Sequence, residues 1–376
     1  MNRATITTAE QTSPLTPHPS PLTVEKRPLV VITGPTAVGK SRVAVLLAKA
    51  LDTEVLTADS RQVYRGMDIG MDKPTLAERQ DVPHRLIDLV GPDQPFNVGE
   101  YRRLALMDID RLYGLGKLPL VVGGTGLYVR ALIRGLWEGP GADWSLRQRL
   151  ENEARVKGTD HLHRELALVD PESAARLHPH DQVKIIRALE VHRLSGRPLS
   201  ESHRRHAFAE TPFSPLLIGL MRARDALYRR IEQRVEDQLA KGLMQETKGL
   251  LDKGYGRRLG SMKGLGYRQL AGHLAGEYSY EEAVRRLKRD TRHFAKRQLT
   301  WFRKEPGITW LSIGESEPLE AVAARILDLV RRFLSDLAAQ KEADELTSGQ
   351  VSKTDGRLEA KQTTCQPANL PLGVAR

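Results

Sequence analysis

The chain is expected to fold as an α/β protein, a parallel sheet flanked by helices, with a small all-helical insertion. Three observations predict this. Short apolar runs alternate with segments of helical period through residues 28–135. Strand-like runs then vanish between about Asp143 and Arg205, where helical periods dominate. Finally, Leu216-Leu217-Ile218-Gly219-Leu220 reads as one more buried strand, returning the chain to the sheet.

Residues 1–25 are rich in Thr, Ser and Pro and have no apolar period, so a disordered tail is expected. They also lack the apolar core of a secretory signal. The core is expected over 26–142 and 212–337, interrupted by a helical insertion over 143–211. Strands are expected at 28–33, 54–58, 86–89 and 118–122, and helices at 40–51, 99–113 and 126–135. The first pair is the best defined. Leu29-Val30-Val31-Ile32 is an apolar run of strand length, and Val43, Leu46, Leu47, Ala50 and Leu51 recur at helical spacing. After the returning strand, long helices are expected at 225–251 and 280–303. An amphipathic helix near 318–336 is marked by Leu319, Val322, Ile326, Val330 and Phe333. Residues 338–376 turn polar and aperiodic and are expected to form a second disordered tail.

At 376 residues, 40% apolar and 28% charged, the composition is that of a globular protein with ample core. No apolar run approaches the ~20 residues that cross a membrane. The single cysteine, Cys365, excludes a disulfide framework and a Cys-based zinc site, so a cytoplasmic protein is expected. The 58 basic and 47 acidic residues are unevenly spread. Between Arg285 and Lys304 stand nine Lys or Arg and one acid, Asp290, with Phe294, Trp301 and Phe302 interleaved. A solvated helix face would account for the charge alone. The interleaved aromatics suit a surface that tracks a nucleic-acid backbone and stacks on bases.

Gly34-Pro35-Thr36-Ala37-Val38-Gly39-Lys40-Ser41 fits the phosphate-loop pattern G-x-x-x-x-G-K-[ST] between strand and helix, which makes the expected fold P-loop NTPase-like. Glycines let several N–H groups face one anion, and the helix N-terminus adds its positive dipole end. Lys40 would reach the outer phosphate, and the Ser41 hydroxyl would ligate Mg²⁺. Nucleotide hydrolases usually carry a Mg²⁺-holding acid after a later strand. Here the strand at 118–122 ends in Gly123-Gly124-Thr125-Gly126, and no Asn-Lys-x-Asp guanine-reading run occurs. Asp59 follows the second strand at the rim where ligands of such sheets collect. It could be a Mg²⁺ ligand, a general base or a helix N-cap. Thr125 offers a hydroxyl at the same rim. His161/His163, His178/His180 and His203/His206 are pairs without a third metal ligand at useful spacing.

Six segments in order resemble one family. They are the phosphate loop, Asp59-Ser60-Arg61-Gln62-Val63-Tyr64-Arg65-Gly66-Met67-Asp68-Ile69-Gly70, Pro83-His84-Arg85-Leu86-Ile87-Asp88, Gly123-Gly124-Thr125-Gly126-Leu127-Tyr128, Lys263-Gly264-Leu265-Gly266-Tyr267-Arg268-Gln269 and Lys296-Arg297-Gln298-Leu299-Thr300-Trp301-Phe302-Arg303. Together they are similar to the tRNA dimethylallyltransferases over roughly residues 28–312. One departure is Met71-Asp72-Lys73-Pro74, where the family more often has a small pair before Lys-Pro; no functional consequence is attached to it.

The resemblance implies transfer of a dimethylallyl group from its diphosphate to N6 of the adenosine at tRNA position 37. The loop residues Gly34, Pro35, Thr36, Ala37, Val38, Gly39, Lys40 and Ser41 would then cradle the diphosphate, with Mg²⁺ at Ser41 and a further cation from Arg224 or Arg230. Asp59 would be the general base, and Thr125 would hold the amine. Contacts to the tRNA anticodon stem-loop are implied for Asp59, Ser60, Arg61 and Gln62; for Thr125 and Arg147; and for Gln182, Val183, Lys184, Ile185 and Ile186. They are implied also for Lys263, Gly264, Leu265, Gly266, Tyr267 and Arg268, and for Lys296, Arg297, Gln298, Leu299, Thr300, Trp301, Phe302 and Arg303. A monomer without membrane association is expected. The alternatives are a relative that prenylates free adenine nucleotides, whose substrate needs no long basic stretch; a phosphate-loop ATPase, which the strand-end chemistry does not favour; and a small-molecule kinase, which would have little RNA affinity.

Overall fold

The computed structural model describes residues 26–137, 139–206 and 212–359, so the expected tail at 1–25 lies outside the described residues. In chain order the first half of the core comprises β1 (Arg27–Thr33), α1 (Lys40–Ala50), β2 (Val55–Thr57), α2 (Leu76–Arg79), β3 (His84–Arg85), α3 (Val98–Gly114), β4 (Leu120–Gly123) and α4 (Gly126–Arg134). The insertion holds α5 (Trp144–Lys157), α6 (Thr159–Val169), α7 (Pro171–Arg176), α8 (Gln182–Ser195) and α9 (Leu199–His206). The core resumes with β5 (Phe213–Met221), α10 (Arg224–Ala240), α11 (Leu243–Asp252), a 3-10 turn (Ser261–Lys263), α12 (Tyr267–Leu274), α13 (Tyr280–Phe302), β6 (Ile308–Ser312) and α14 (Leu319–Glu359).

The six strands form one parallel sheet in the order β3-β2-β4-β1-β5-β6. Strand β1 shows why its sequence is apolar without alternation. Val30 and Ile32 face Val43 and Leu47 of α1 and Val322, Ile326 and Val330 of α14. Leu29 and Val31 face Tyr101 and Ile109 of α3, Leu132 of α4 and Phe302. Both faces are covered, as a parallel sheet requires. A third cluster joins α10–α13 to the loop after β2, and α5–α8 enclose a core of their own around Leu150, Leu162, Leu166 and Ile185.

Several boundaries differ from expectation. The strand expected at 86–89 lies instead at His84–Arg85, because Leu86 (φ 63°) and Asp88 (φ 55°) take left-handed backbone and stay out of the ladder. That loop instead grips Lys73, whose Nζ donates to Asp88 Oδ1 (2.5 Å), Asp68 Oδ1 (2.7 Å) and the Tyr64 carbonyl (2.6 Å). The helix expected over 225–251 breaks at Gly242 (φ 101°) into α10 and α11. Strand β6 was not read, being five residues on a sheet edge. Helix α14 does not stop near residue 336 but continues to Glu359, through part of the tail expected to be disordered.

Candidate active site

Strands β2, β4 and β1 are spatial neighbours running the same way, so the turns after them converge at one end of the sheet. After β1, the phosphate loop turns through Gly34 (φ 142°), Ala37 (φ 63°) and Gly39 (φ 115°). Gly34 is required twice over, since a Cβ there would also lie 2.5 Å from the Leu220 carbonyl oxygen. Lys40 Nζ donates to the carbonyls of Gly34 (3.0 Å) and Pro35 (2.8 Å). Burial pushes its pKa down to about 8; Asp59 opposes that shift, Arg234 adds to it and Asp72 opposes it.

A cavity of about 430 Å³ opens beside the loop, lined by Gly39, Lys40 and Ser41, by Asp68 and Asp72, and by Arg230 and Arg234 of α10. Ser41 is exposed there. Its hydroxyl is an oxygen donor of the kind Mg²⁺ takes, while Asp68 and Asp72 of the same lining are paired with Lys73 (2.7 Å) and Arg234 (3.1 Å). Arg230 Nε donates to the Ala37 carbonyl (2.8 Å). Arg224 is elsewhere: its guanidinium lies over the Tyr228 ring (5.2 Å) at the exposed start of α10, outside the cavity lining. Arg230 is thus in the lining, and Arg234, which sequence reasoning missed, is a second cation there. Its Nη1 donates to Thr36 Oγ1 (2.6 Å) and pairs with Asp72 (3.1 Å). The signal was its spacing, one helical turn beyond Arg230. Asp72, passed over as a departure without consequence, is thus a wall of the cavity.

Asp59, after β2, is half-buried and its Oδ1 accepts from the Arg61 N–H (2.8 Å). Thr125, after β4, accepts the Ser60 N–H on its hydroxyl (3.0 Å), and its own N–H donates to the Ala58 carbonyl (3.1 Å). The structure therefore joins the Asp59 and Thr125 turns directly. Gln298 of α13 closes the arrangement. Its Oε1 accepts the Thr36 N–H (2.8 Å) and its Nε2 donates to the Gly124 carbonyl (3.0 Å). Glycine at 124 makes room for that amide, and glycine at 126 for the Trp301 indole.

The residues expected to meet tRNA divide into two groups. A groove of about 1870 Å³ between core and insertion is lined by Arg147, Val183, Lys184 and Lys263. Lys296, Arg297, Thr300, Trp301 and Arg303 are exposed on the last turns of α13. The others are structural in this state. Ile185 and Ile186 lie in the insertion core, and Gln182 is half-buried at the start of α8. Gly264 and Gly266 are buried, and Leu265 and Leu299 half-buried. Tyr267 is fully buried and donates to Glu246, whose carboxylate also accepts the N–H groups of Asp68, Ile69 and Gly70. Arg268 pairs with Asp290 (2.8 Å), Phe302 is buried in the sheet core, and Gln298 braces the phosphate loop. Arg61 donates to the Gly260 carbonyl (2.8 Å), and Gln62 to those of Met71 and Asp72.

The basic run itself divides. Arg285 and Arg286 pair with Glu282, Lys288 with Glu236, Arg289 with Asp290 and Arg292 with Glu232. Among the described residues, Lys296, Arg297, Arg303 and Lys304 form no ion pair, so the open charge is at the helix end. Among the histidines, His161 does gain neighbours, Glu153 and Glu165, but Lys157 and Arg193 already hold those carboxylates. His163 is bound to the carbonyls of Ala174 and Leu177. No helix among the described residues is long and apolar enough to cross a membrane.

Comparison with known proteins accounts for this arrangement. The family model described as IPP transferase matches residues 62–305. The chain is 52% identical over 285 residues to tRNA dimethylallyltransferase 2 of Geotalea uraniireducens, covering 76% of this chain and 92% of that one. It is 50% identical over 296 residues to the tRNA dimethylallyltransferase of Pelotomaculum thermopropionicum, covering 78% and 94%. Among solved structures, the full-length tRNA isopentenylpyrophosphate transferase of Bacillus halodurans superposes with a TM-score of 0.64 at 39% identity, over 85% of this chain and 99% of that one. A eukaryotic dimethylallyltransferase acting on tRNA gives a TM-score of 0.70 at 26% identity, over 83% and 80%. With a family model over more than half its length and relatives at half identity across most of theirs, the chain belongs to the tRNA dimethylallyltransferase family.

Proposed function

We propose that the chain transfers the dimethylallyl group of dimethylallyl diphosphate to N6 of the adenosine at position 37 of tRNA, releasing diphosphate. The observation that carries this is the convergence of the phosphate loop, Asp59 and Thr125 on one end of the sheet, joined by Ser60 and Gln298. In the reaction the C1–O bond to diphosphate breaks, the C1–N6 bond forms, and the N6 proton passes to the Asp59 carboxylate. Loop N–H groups, Lys40, Arg230 and Arg234 face the charge that builds on the leaving diphosphate. Ser41 would hold Mg²⁺, which supplies further neutralisation of the diphosphate when bound. Thr125 fixes the Ser60 backbone, and through it the turn that presents Asp59.

The acceptor is stacked in an RNA loop and must be extruded to reach this rim. Trp301 packs by Gly126 at the rim with exposed cations on the same end of α13, and the groove beside the insertion gives the RNA a second surface. A monomer acting in the cytoplasm on the anticodon stem-loop is the setting this reading expects. The test is transfer of radiolabelled dimethylallyl from its diphosphate, with unmodified tRNA, free AMP and ATP hydrolysis run in parallel. Mg²⁺-dependent label on tRNA alone is expected. Label on AMP would move the chain to free nucleotides, and hydrolysis without transfer would remove the proposal.

A further inference from the structure

Arg147 lies in the groove with its charge already paired. Its Nε and Nη2 donate to both oxygens of Glu190 (2.9 and 2.8 Å). Glu190 is fully buried and also accepts from Arg187 (2.7 Å) and from the Asp143 N–H (2.8 Å). What Arg147 does offer is a flat, fixed cation, and the Trp144 ring sits on it at 5.2 Å. Trp144 is the first residue of α5, and its backbone is fixed by the Asp143 cap, which accepts the Leu146 N–H (2.9 Å). Trp144 is 62% exposed. One face is held by the guanidinium and the remainder is open to the groove.

The same three-part device recurs at the reaction rim. Buried Glu305 pairs with Arg130 (2.7 Å), and the Arg130 guanidinium lies over the exposed Trp301 ring at 4.7 Å. Trp301 belongs to the stretch proposed above to meet RNA. Two units of identical construction, one on the core and one on the insertion, thus present an indole to the outside. Of the cations lining the groove around Trp144, Arg103, Arg147, Arg176, Lys184 and Arg187 are paired with acids, whereas Arg258 and Lys263 on its core side form no ion pair among the described residues. That charge selects a polyanion over a peptide as occupant.

The geometry points to Trp144 as a stacking platform, backed by Arg147 and Glu190, for an unpaired base of the bound RNA. It rests on the function proposed above and adds a second base contact, on the insertion, away from the reacting adenine. An indole already fixed against a cation loses little conformational freedom when a base stacks on it, and stacking tolerates any base because each has a π-face. Arg147 is then a positioning residue, reaching RNA through the ring it supports.

The test uses the full chain and an unmodified anticodon stem-loop RNA, with Trp144→Ala and Trp144→Phe compared across a salt series. Trp144→Ala is expected to raise the RNA Kd and KM by about 5- to 150-fold, the range for loss of one base–aromatic stack. The kcat at saturating RNA and the KM for dimethylallyl diphosphate stay unchanged, and Trp144→Phe recovers most of the loss. The slope of log Kd against log salt stays parallel to wild type, because no phosphate contact is removed. An RNA Kd within twofold of wild type for Trp144→Ala, a flattened salt slope, or Phe no better than Ala would each overturn the assignment. Transfer by the wild type is a separate readout: its absence would remove the proposed function, while the binding comparison still decides Trp144.

Discussion

Asp59 keeps one carboxylate oxygen on the Arg61 N–H, which fixes its rotamer and leaves the other oxygen for a proton from substrate. Asp59→Asn preserves that hydrogen bond but cannot accept the proton. Single-turnover transfer should fall by about 10²–10⁴-fold, the usual worth of a positioned base. Filter binding should find RNA affinity within twofold; equal loss of both would end the general-base role. If Arg234 bonds the diphosphate as proposed, Arg234→Ala should raise the KM for dimethylallyl diphosphate roughly tenfold or more, the worth of a charged hydrogen bond, with RNA affinity unchanged. The phosphate loop was legible because its pattern is local: eight consecutive residues bring their own turn and helix. Arg234 and Asp72 were not legible as site residues, and Gln298 was read as an RNA contact rather than as a brace of the loop. Their meaning arises only when chain segments 198 and 262 residues apart meet at Thr36.

Helix α13 illustrates how far a charge run can be read. Its sequence announced a cationic helix with aromatics, and the helix is present from Tyr280 to Phe302. Arg285, Arg286 and Arg289 pair with acids of the helix itself, but Lys288 and Arg292 depend on Glu236 and Glu232 of α10, and no spacing within the run encodes those partners. Only the last turns remain open, so Arg297→Ala with Arg303→Ala should weaken RNA binding and flatten the salt slope by about 1–2. The matching change at Arg286 and Arg292 should leave the slope unaltered. The helix start is set by Ser279, whose hydroxyl accepts the Glu282 N–H (3.3 Å). Ser279→Ala should lower stability by about 1 kcal/mol in a denaturant titration without changing the m-value. Elements with strong internal signals, such as β1 and α1, were readable. Strand β3 was misplaced because the left-handed residues Leu86 and Asp88 serve the Lys73 cluster rather than the ladder.

Across the whole molecule, the sheet edge nearest β3 is secured by a carboxylate. Glu54 accepts from Arg85 (2.8 Å) and from Arg111 of α3 (2.6 Å). Burial alone would raise its pKa, but the two guanidinium groups overcome that and hold it at about 2. A depressed carboxylate contributes stability above its unfolded pKa, near 4.5, and that contribution fades as pH falls toward 2. Glu54→Gln should therefore lower the Tm at pH 7, and the gap to wild type should narrow by pH 3. An equal gap at both values would show that the ion pairs contribute nothing.

At the centre of the same sheet, one amide side chain, Gln298, ties the first substrate loop to the turn that leads into Thr125. In mechanical terms it is a tie rod between the turns that leave two neighbouring strand ends. Neither turn can relax without drawing the other, so the entropy of arranging them is lost when the chain folds and not when the donor arrives. A site braced in this way meets each turnover already assembled, and a single rotamer change at one buried glutamine would release both halves at once.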